Sequence, residues 1–270
     1  MSEPTTGQLI LLGISIALLA IGGIVSFVRL WRDREALRIA AKGCMYMGLT
    51  AALAVVLWHS WSRRICPLNE NFSALVLLAL LLGSFVMYVQ RARPLVGLDW
   101  FIMPIVILLL VAAGIFGKVE YREYHRLVSD TWLWLHRVTT YAGAIAFAVA
   151  AAGGAMYVLA SRRLHRKAPI PAFGSLERLE RMVMRAVEVG FALLTIGLIS
   201  GFVRFFERSE KVPMPKLVLG MLAWAAYLIV LHVPVSPRLR GRRAAALSIV
   251  GFVLMVGTIV VVQLMPGGQR

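Results

Sequence analysis

The chain has 270 residues, of which 60% are hydrophobic and only 16% are charged, and its mean hydropathy is +0.79. Soluble domains are usually about half apolar and about a quarter charged, so the composition excludes an ordinary soluble protein and predicts an integral membrane protein. The formal net charge of +16 does not indicate nucleic-acid binding, because the Lys and Arg residues stand in short clusters between apolar runs. We expect no nucleic-acid partner, and anionic membrane lipids as the partners of these clusters.

Apolar runs of about 17–25 residues are long enough to cross a bilayer as helices. Such runs lie near 8–29, 41–61, 73–91, 100–116, 135–160, 188–206, 215–233 and 242–264. The fourth run is short, so a seven-helix alternative with a re-entrant 100–116 stays open. The first run is too long for a signal-peptide core and leads into Arg29, Arg32 and Arg34, which indicates a permanent helix.

The predicted fold class is therefore all-α: a polytopic integral membrane helix bundle of about eight transmembrane helices, forming a single membrane domain over residues 1–270. One further helix is expected before the sixth run. There Leu176, Leu179, Val183 and Ala186 recur at helical spacing with charged residues between them. This pattern predicts an amphipathic helix on the cytoplasmic membrane surface.

The basic residues also predict the orientation, since loops rich in Lys and Arg stay in the cytoplasm. Most of the 29 Lys and Arg residues follow the first, third, fifth and seventh runs. Both termini are therefore expected outside, in a bacterial inner membrane. In this orientation His59, His125 and His136 face outward, while His165 and His232 lie toward the cytoplasm.

The usual catalytic signatures are missing from the sequence: there is no phosphate-binding loop, nucleophile elbow, HExxH motif or paired-cysteine motif. Cys44 and Cys66 are too isolated to predict a redox pair. Cys44 is most simply a small buried residue, and Cys66 receives no assignment. We predict no catalytic residue, and enzymatic activity stays open.

Histidine is the common protein ligand of heme iron, and it is rare within a membrane without a partner. His136 lies at the mouth of the fifth run, just after Trp132 and Trp134, and His232 lies at the end of the seventh run. Tryptophans also form the ordinary aromatic belt at membrane interfaces. From the residues alone, both histidines can be metal or heme ligands or interfacial residues without chemistry.

The remaining histidines carry weaker signals. His59 is flanked by Trp58 and Trp61, and its role is left open. His125 and His165 stand in charged loops, where we do not expect ligation.

Four segments with motif-like patterns follow one another between about residues 60 and 264. The residues that carry these patterns are Pro67, Leu68 and Asn69; His136, Tyr141, Phe147 and Tyr157; Gly190, Phe191, Leu194, Thr195, Ile196, Gly197 and Gly201; and Lys216, Trp224, Tyr227, His232, Gly241, Arg242, Gly251 and Phe252. In this order, on an eight-span chain, they resemble the CcsA/HemX-like cytochrome c assembly family of heme-handling membrane proteins.

The resemblance implies heme as the cofactor. Synthetase members of the family receive heme from the cytoplasmic side, move it outward and present it to apocytochrome c near a tryptophan-rich loop. Their histidines hold the iron. By this resemblance, His136 corresponds to an outer heme ligand and His232 to a membrane-embedded ligand, with Trp132 and Trp134 beside the heme.

Two departures from the synthetase pattern narrow this expectation. Between Phe206 and Leu217 the family's WWD motif is replaced by ERSEKVPMPK, with Met214 where the pattern has aspartate. A second outer histidine is also missing before Arg270. The pattern thus resembles the HemX-like branch, and a second membrane subunit is expected to supply the rest of the outer site.

Two functions follow from these observations. The first is a heme-binding or heme-handling component of cytochrome c biogenesis. The alternative is a non-heme membrane scaffold or regulator that keeps the family fold and recruits partners through its spans and basic face. A transporter is disfavoured, because no charged residue stands in the middle of a predicted span.

Overall fold

The computed structural model describes residues 4–29, 34–64, 67, 70–92, 97–116, 131–166, 175–208, 214–231 and 241–264. These residues form helices and contain no strand. The helices are α1 (Thr6–Arg29), α2 (Glu35–Arg63), α3 (Asn71–Ala92), α4 (Leu98–Phe116), α5 (Thr131–His165), α6 (Leu176–Arg208), α7 (Met214–Leu231) and α8 (Arg242–Leu264).

The predicted all-α polytopic membrane helix bundle is confirmed. Each of α1 to α6 contains a stretch long and apolar enough to cross a membrane, and α7 contains a shorter apolar stretch, Leu217–Leu231. The fourth run forms 19 residues of helix that continue past Pro104. A proline is tolerated inside a membrane helix because neighbouring groups satisfy the freed backbone carbonyl. The continuous α4 therefore favours eight spans over the seven-helix alternative.

The predicted amphipathic segment is helical, but it is the first part of α6 and not a separate element. No proline or glycine interrupts the chain between Leu176 and Val189, so the helix runs on into the sixth span. Leu179 and Val183 are buried, and a Val183 methyl carbon lies 2.9 Å from the position of a Cβ on Gly153 of α5. The apolar face thus packs on α5, while the polar face is exposed.

Two compact units make up the helical structure, one containing α1 to α4 and the other α5 to α8. In the first unit α1 packs along α2, α3 packs on α4, and contacts of α1 with α4 and of α2 with α3 complete the bundle. In the second unit α5 packs along α6 and α8, and α7 packs on α8 and α6. A single membrane domain over residues 1–270 stays a prediction.

The core of the second unit is a stack of two aromatic rings between two glycines. Phe147 and Tyr227 are fully buried and lie parallel, with ring centroids 3.5 Å apart and planes within 7°. A Cβ on Gly190 would lie 2.7 Å from Phe147, and a Cβ on Gly251 would lie 2.8 Å from Tyr227. Along the stack, Gly190 comes from α6, Phe147 from α5, Tyr227 from α7 and Gly251 from α8. The stack therefore joins all four helices.

Side chains also cross-link the helices of the first unit. The hydroxyl of Ser15 in α1 donates a 2.8 Å hydrogen bond to the Gly48 carbonyl of α2. At the end of α1, Ser26 donates a 2.7 Å hydrogen bond to the buried carboxylate of Asp99 in α4. Both hydrogen bonds give a buried polar side chain a partner on a neighbouring helix, as an apolar surrounding favours.

Candidate functional site

His136 lies in the second turn of α5 and is held by the backbone of α6. Its Nδ1 atom is 2.7 Å from the carbonyl oxygen of Gly197. A carbonyl oxygen can only accept, so Nδ1 carries a proton and donates it. In a neutral imidazole the lone pair then lies on Nε2, which is the usual arrangement for a histidine that coordinates a metal.

Glycines on α6 make room for this imidazole. A Cβ on Gly201 would lie 3.0 Å from Nδ1 and 3.1 Å from Cε1 of His136. A Cβ on Gly197 would lie 3.0 Å from the Thr140 hydroxyl. The Gly-x-x-x-Gly spacing therefore lets α5 and α6 approach closely and forms a slot for the ring, as small residues do between membrane helices.

The two tryptophans predicted to line the site occupy different faces of α5. Trp132 precedes His136 by one helical turn and shares its face, whereas Trp134, two residues before His136, does not. Their side chains are 38% and 45% exposed, respectively. Such exposure fits both an interfacial aromatic belt and a cofactor-facing surface. Their assignment as cofactor-binding residues stays a prediction.

The other predicted ligand, His232, lies outside the described residues, as do His125 and Cys66. Its pairing with His136 therefore stays a prediction. His165, which we did not expect to ligate, lies at the far end of α5, with Nδ1 2.8 Å from the Ser161 carbonyl of the same helix.

Heme and a bare metal ion differ in the number of protein ligands that they need. No group of three or more His, Cys, Asp or Glu side chains that could hold an ion occurs among the described residues. A protein-bound zinc ion takes at least three protein ligands, whereas the porphyrin of heme supplies most of the iron coordination and needs only axial ligands. His136, with Nδ1 bound to the Gly197 carbonyl, fits the requirement for one such ligand of heme.

A buried polar cluster around His59 was not predicted from the sequence. His59 of α2 is only 1% exposed and contacts Glu70, 11 residues later in the chain, and Gln8, 51 residues earlier. One signal was present, because Glu70 is the only acidic residue between Glu35 and Asp99 and adjoins an apolar run. An isolated acid at the edge of a membrane span usually has a partner.

Comparison with known proteins agrees with the resemblance of the motifs. The family model described as cytochrome C assembly protein matches residues 65–268. A "Cytochrome c biogenesis protein CcsA" of Synechococcus sp. (strain RCC307) is 29% identical over 229 residues, which cover 82% of this chain and 69% of that protein. No solved structure matches.

Two further relatives with the same name match shorter segments. The protein of Hordeum vulgare is 30% identical over 107 residues, which are 37% of this chain and 33% of the relative. The protein of Prochlorococcus marinus (strain NATL2A) is 34% identical over 86 residues, which are 31% of this chain and 27% of the relative. These matches thus span only about a third of each of these two relatives.

The family match extends from the residue after Arg64 through α8, and so includes the helices that carry His136, its glycine slot and the aromatic stack. The predicted family is therefore confirmed: the chain belongs to the cytochrome c assembly protein family.

Proposed function

We propose that this protein is a heme-binding membrane component of cytochrome c biogenesis and that His136 would hold the heme iron. The observation that carries the proposal is the 2.7 Å hydrogen bond from His136 Nδ1 to the Gly197 carbonyl, which is the kind of contact that a metal-binding histidine makes with its other ring nitrogen. Family membership and relatives named for cytochrome c biogenesis support the pathway.

The chain's own residues would bind and orient the heme. Gly197 and Gly201 would hold the imidazole, and Trp132 would offer an apolar surface on the same face of α5. Trp134, on another face of α5, is also proposed as a cofactor-binding residue. His232 is the proposed second, membrane-embedded ligand. When bound, heme would supply the iron porphyrin destined for a cytochrome, and no bond-making step is assigned to this chain.

A partner is part of the proposal. The segment between Phe206 and Leu217 contains no tryptophan, so it does not provide the WWD loop by which synthetase members present heme. We therefore propose that a second membrane subunit supplies the remaining part of the outer heme site. The proposed location is the bacterial inner membrane, with both termini outside.

The visible spectrum of the purified protein tests this function. Protein extracted in detergent from heme-replete cells is expected to show a Soret band, and His136→Ala should reduce the bound heme by at least about tenfold because a ligand that would hold the iron is removed. His165→Ala is the matched control, since His165 also donates Nδ1–H to a carbonyl but lies in a charged segment. It should leave the spectrum unchanged.

Two results would contradict the proposal. One is a colourless wild-type protein that fails to bind added heme, which would favour the non-heme scaffold. The other is a His136→Ala variant that folds and retains the wild-type Soret intensity. His232→Ala, measured in the same way, separately tests the second proposed ligand.

A further inference from the structure

A buried polar cluster joins three helices of the first unit at one end. His59 of α2, Glu70 immediately before α3 and Gln8 of α1 are 1%, 4% and 1% exposed. His59 Nε2 lies 2.7 Å from Glu70 Oε2, and His59 Nδ1 lies 3.0 Å from Gln8 Oε1. The ring of Phe72 packs against the imidazole with a centroid distance of 5.1 Å. Both ring nitrogens thus have polar partners in an apolar surrounding.

The start of α1 determines the direction of one of these hydrogen bonds. Thr5 and Gln8 form a capping box, in which the Thr5 backbone N–H donates to Gln8 Oε1 at 3.1 Å and the Gln8 N–H lies 3.4 Å from the Thr5 hydroxyl. The side-chain oxygen of Gln8 therefore faces both Thr5 and His59. Since an amide oxygen only accepts, His59 Nδ1 must carry a proton and donate it.

With Nδ1 protonated, the short contact between Nε2 and Glu70 requires one additional proton. If His59 were neutral and Glu70 ionised, a nitrogen lone pair would face a carboxylate oxygen at 2.7 Å. A proton between them removes this repulsion, whether it belongs to an imidazolium or to a carboxylic acid. In both forms the pair is electrically neutral, as burial favours.

We propose that His59 and Glu70 form a buried proton-binding site, which takes up one proton when α1, α2 and α3 close around it. Among the described residues, Glu70 Oε1 has no hydrogen-bond partner, so the carboxyl group is held through Oε2 alone. Loss of the proton would replace the hydrogen bond at Glu70 Oε2 with a repulsive contact and would favour opening of the cluster.

The surrounding helices contain few other charges near this site. Arg63 and Arg64 stand at the adjoining end of α2, one turn beyond His59. The other described charged residues of these four helices and their caps lie toward the opposite ends: Arg29, Arg34, Glu35, Arg38, Lys42, Arg91 and Asp99. Arg63 and Arg64 are therefore the described charged groups at the same end of these helices as the pair.

The sign of the expected pH dependence follows from proton counting. Above about pH 7, an open cluster exposes a neutral histidine and an ionised glutamate, so it holds one proton fewer than the closed cluster. Closing is then linked to the uptake of one proton, and the equilibrium constant for opening should rise by up to about tenfold for each pH unit.

Hydrogen–deuterium exchange of the full-length protein in detergent tests this proposal. Exchange of the amides near Gln8 and His59 would be measured from about pH 7 to about pH 9 and corrected for the intrinsic rate of exchange. We expect protection of wild-type protein at both places to fall as the pH rises. Protection in the middle of α5 provides an internal reference.

Glu70→Gln separates proton binding from a purely structural role. The amide of the new side chain can donate to neutral His59 Nε2, so closure would need no additional proton and protection should not change with pH in this range. Glu70→Ala should lower protection at all pH values. Glu177→Gln, which changes an exposed carboxylate on α6, is the control and should behave like the wild type.

The proposal is overturned if protection of the wild-type cluster does not change with pH, or if Glu70→Gln retains the wild-type dependence. The wild-type measurement decides the question even when a variant does not fold. His59→Gln offers a second variant without a titratable imidazole, and its protection should likewise be independent of pH above about pH 7. None of these readouts depends on heme.

Discussion

Gly201 presents only hydrogen to the imidazole of His136, and a methyl group in that place would lie 3.0 Å from Nδ1. That distance is shorter than ordinary van der Waals contact, so the ring would have to move by a few tenths of an ångström. Its hydrogen bond to the Gly197 carbonyl would then lengthen or tilt. The orientation of the proposed ligand thus depends on the absence of one carbon atom from the neighbouring helix.

We therefore expect Gly201→Ala to weaken heme binding by roughly tenfold, the scale found when a residue that orients a metal ligand is changed. Titration of the heme-free protein with heme, followed at the Soret band, measures the effect. Gly220→Ala on α7 is the control, because its Cβ would meet only Leu198 at 3.9 Å. Equal affinity in both variants would show that the slot does not position His136.

The sequence predicted His136 as a candidate ligand, but it did not predict the groups that hold its imidazole. The histidine and the Gly197 carbonyl are separated by 61 residues, and hydropathy does not tell which helices pack together. The Gly197-x-x-x-Gly201 spacing was visible, but its role becomes clear only when α5 and α6 are adjacent. For His59 the partners Gln8 and Glu70 are likewise brought together only by the fold.

Helix α5 approaches α8 so closely that their backbones nearly touch at Gly154. A Cβ there would lie 2.8 Å from the carbonyl oxygen of Ala245, and this atom cannot move without its helix. By contrast, a Cβ on Gly143 of the same helix would meet its neighbours at 3.4 Å and 3.5 Å, which is ordinary contact. An added methyl group should therefore lower the stability of the protein more at Gly154 than at Gly143.

We expect Gly154→Ala to destabilise the protein by about 1–3 kcal/mol, as overpacking of a close interface does. Gly143→Ala should be neutral or slightly stabilising, because alanine favours helix formation and the space exists. Thermal unfolding in detergent, followed by tryptophan fluorescence, compares the two variants. A Gly154→Ala protein as stable as Gly143→Ala would contradict the close approach of α5 and α8.

The helices themselves were predictable because a bilayer demands long apolar runs, and each of the eight predicted runs corresponds to a helix. The start of α6 differed from the predicted separate surface helix for a physical reason. An amphipathic helix on a membrane surface and one packed on a neighbouring helix have the same periodicity, and only burial of Leu179 and Val183 separates them. Helix continuity follows from the lack of a breaker before Gly190.

For the whole molecule, the distribution of basic residues predicts the orientation in the membrane. The clusters that follow the first, third, fifth and seventh runs would stay in the cytoplasm, because moving several cations across the membrane against its potential is costly. With an even number of spans, the two termini lie on the same side. The sequence therefore predicts that both termini are outside. The structure shows the helices, and the basic residues alone assign them to the two sides of the membrane.

Reporter fusions test this orientation directly. Alkaline phosphatase, which is active only outside the cytoplasm, should be active when fused after Arg270 and inactive when fused after Arg240. Green fluorescent protein, exported unfolded, should show the opposite pattern. The Arg240 fusion is the matched control because it removes only the last predicted span and ends in a basic segment. Phosphatase activity at Arg240 but not at Arg270 would reverse the orientation and place His136 on the cytoplasmic side, where it could not serve as the outer ligand.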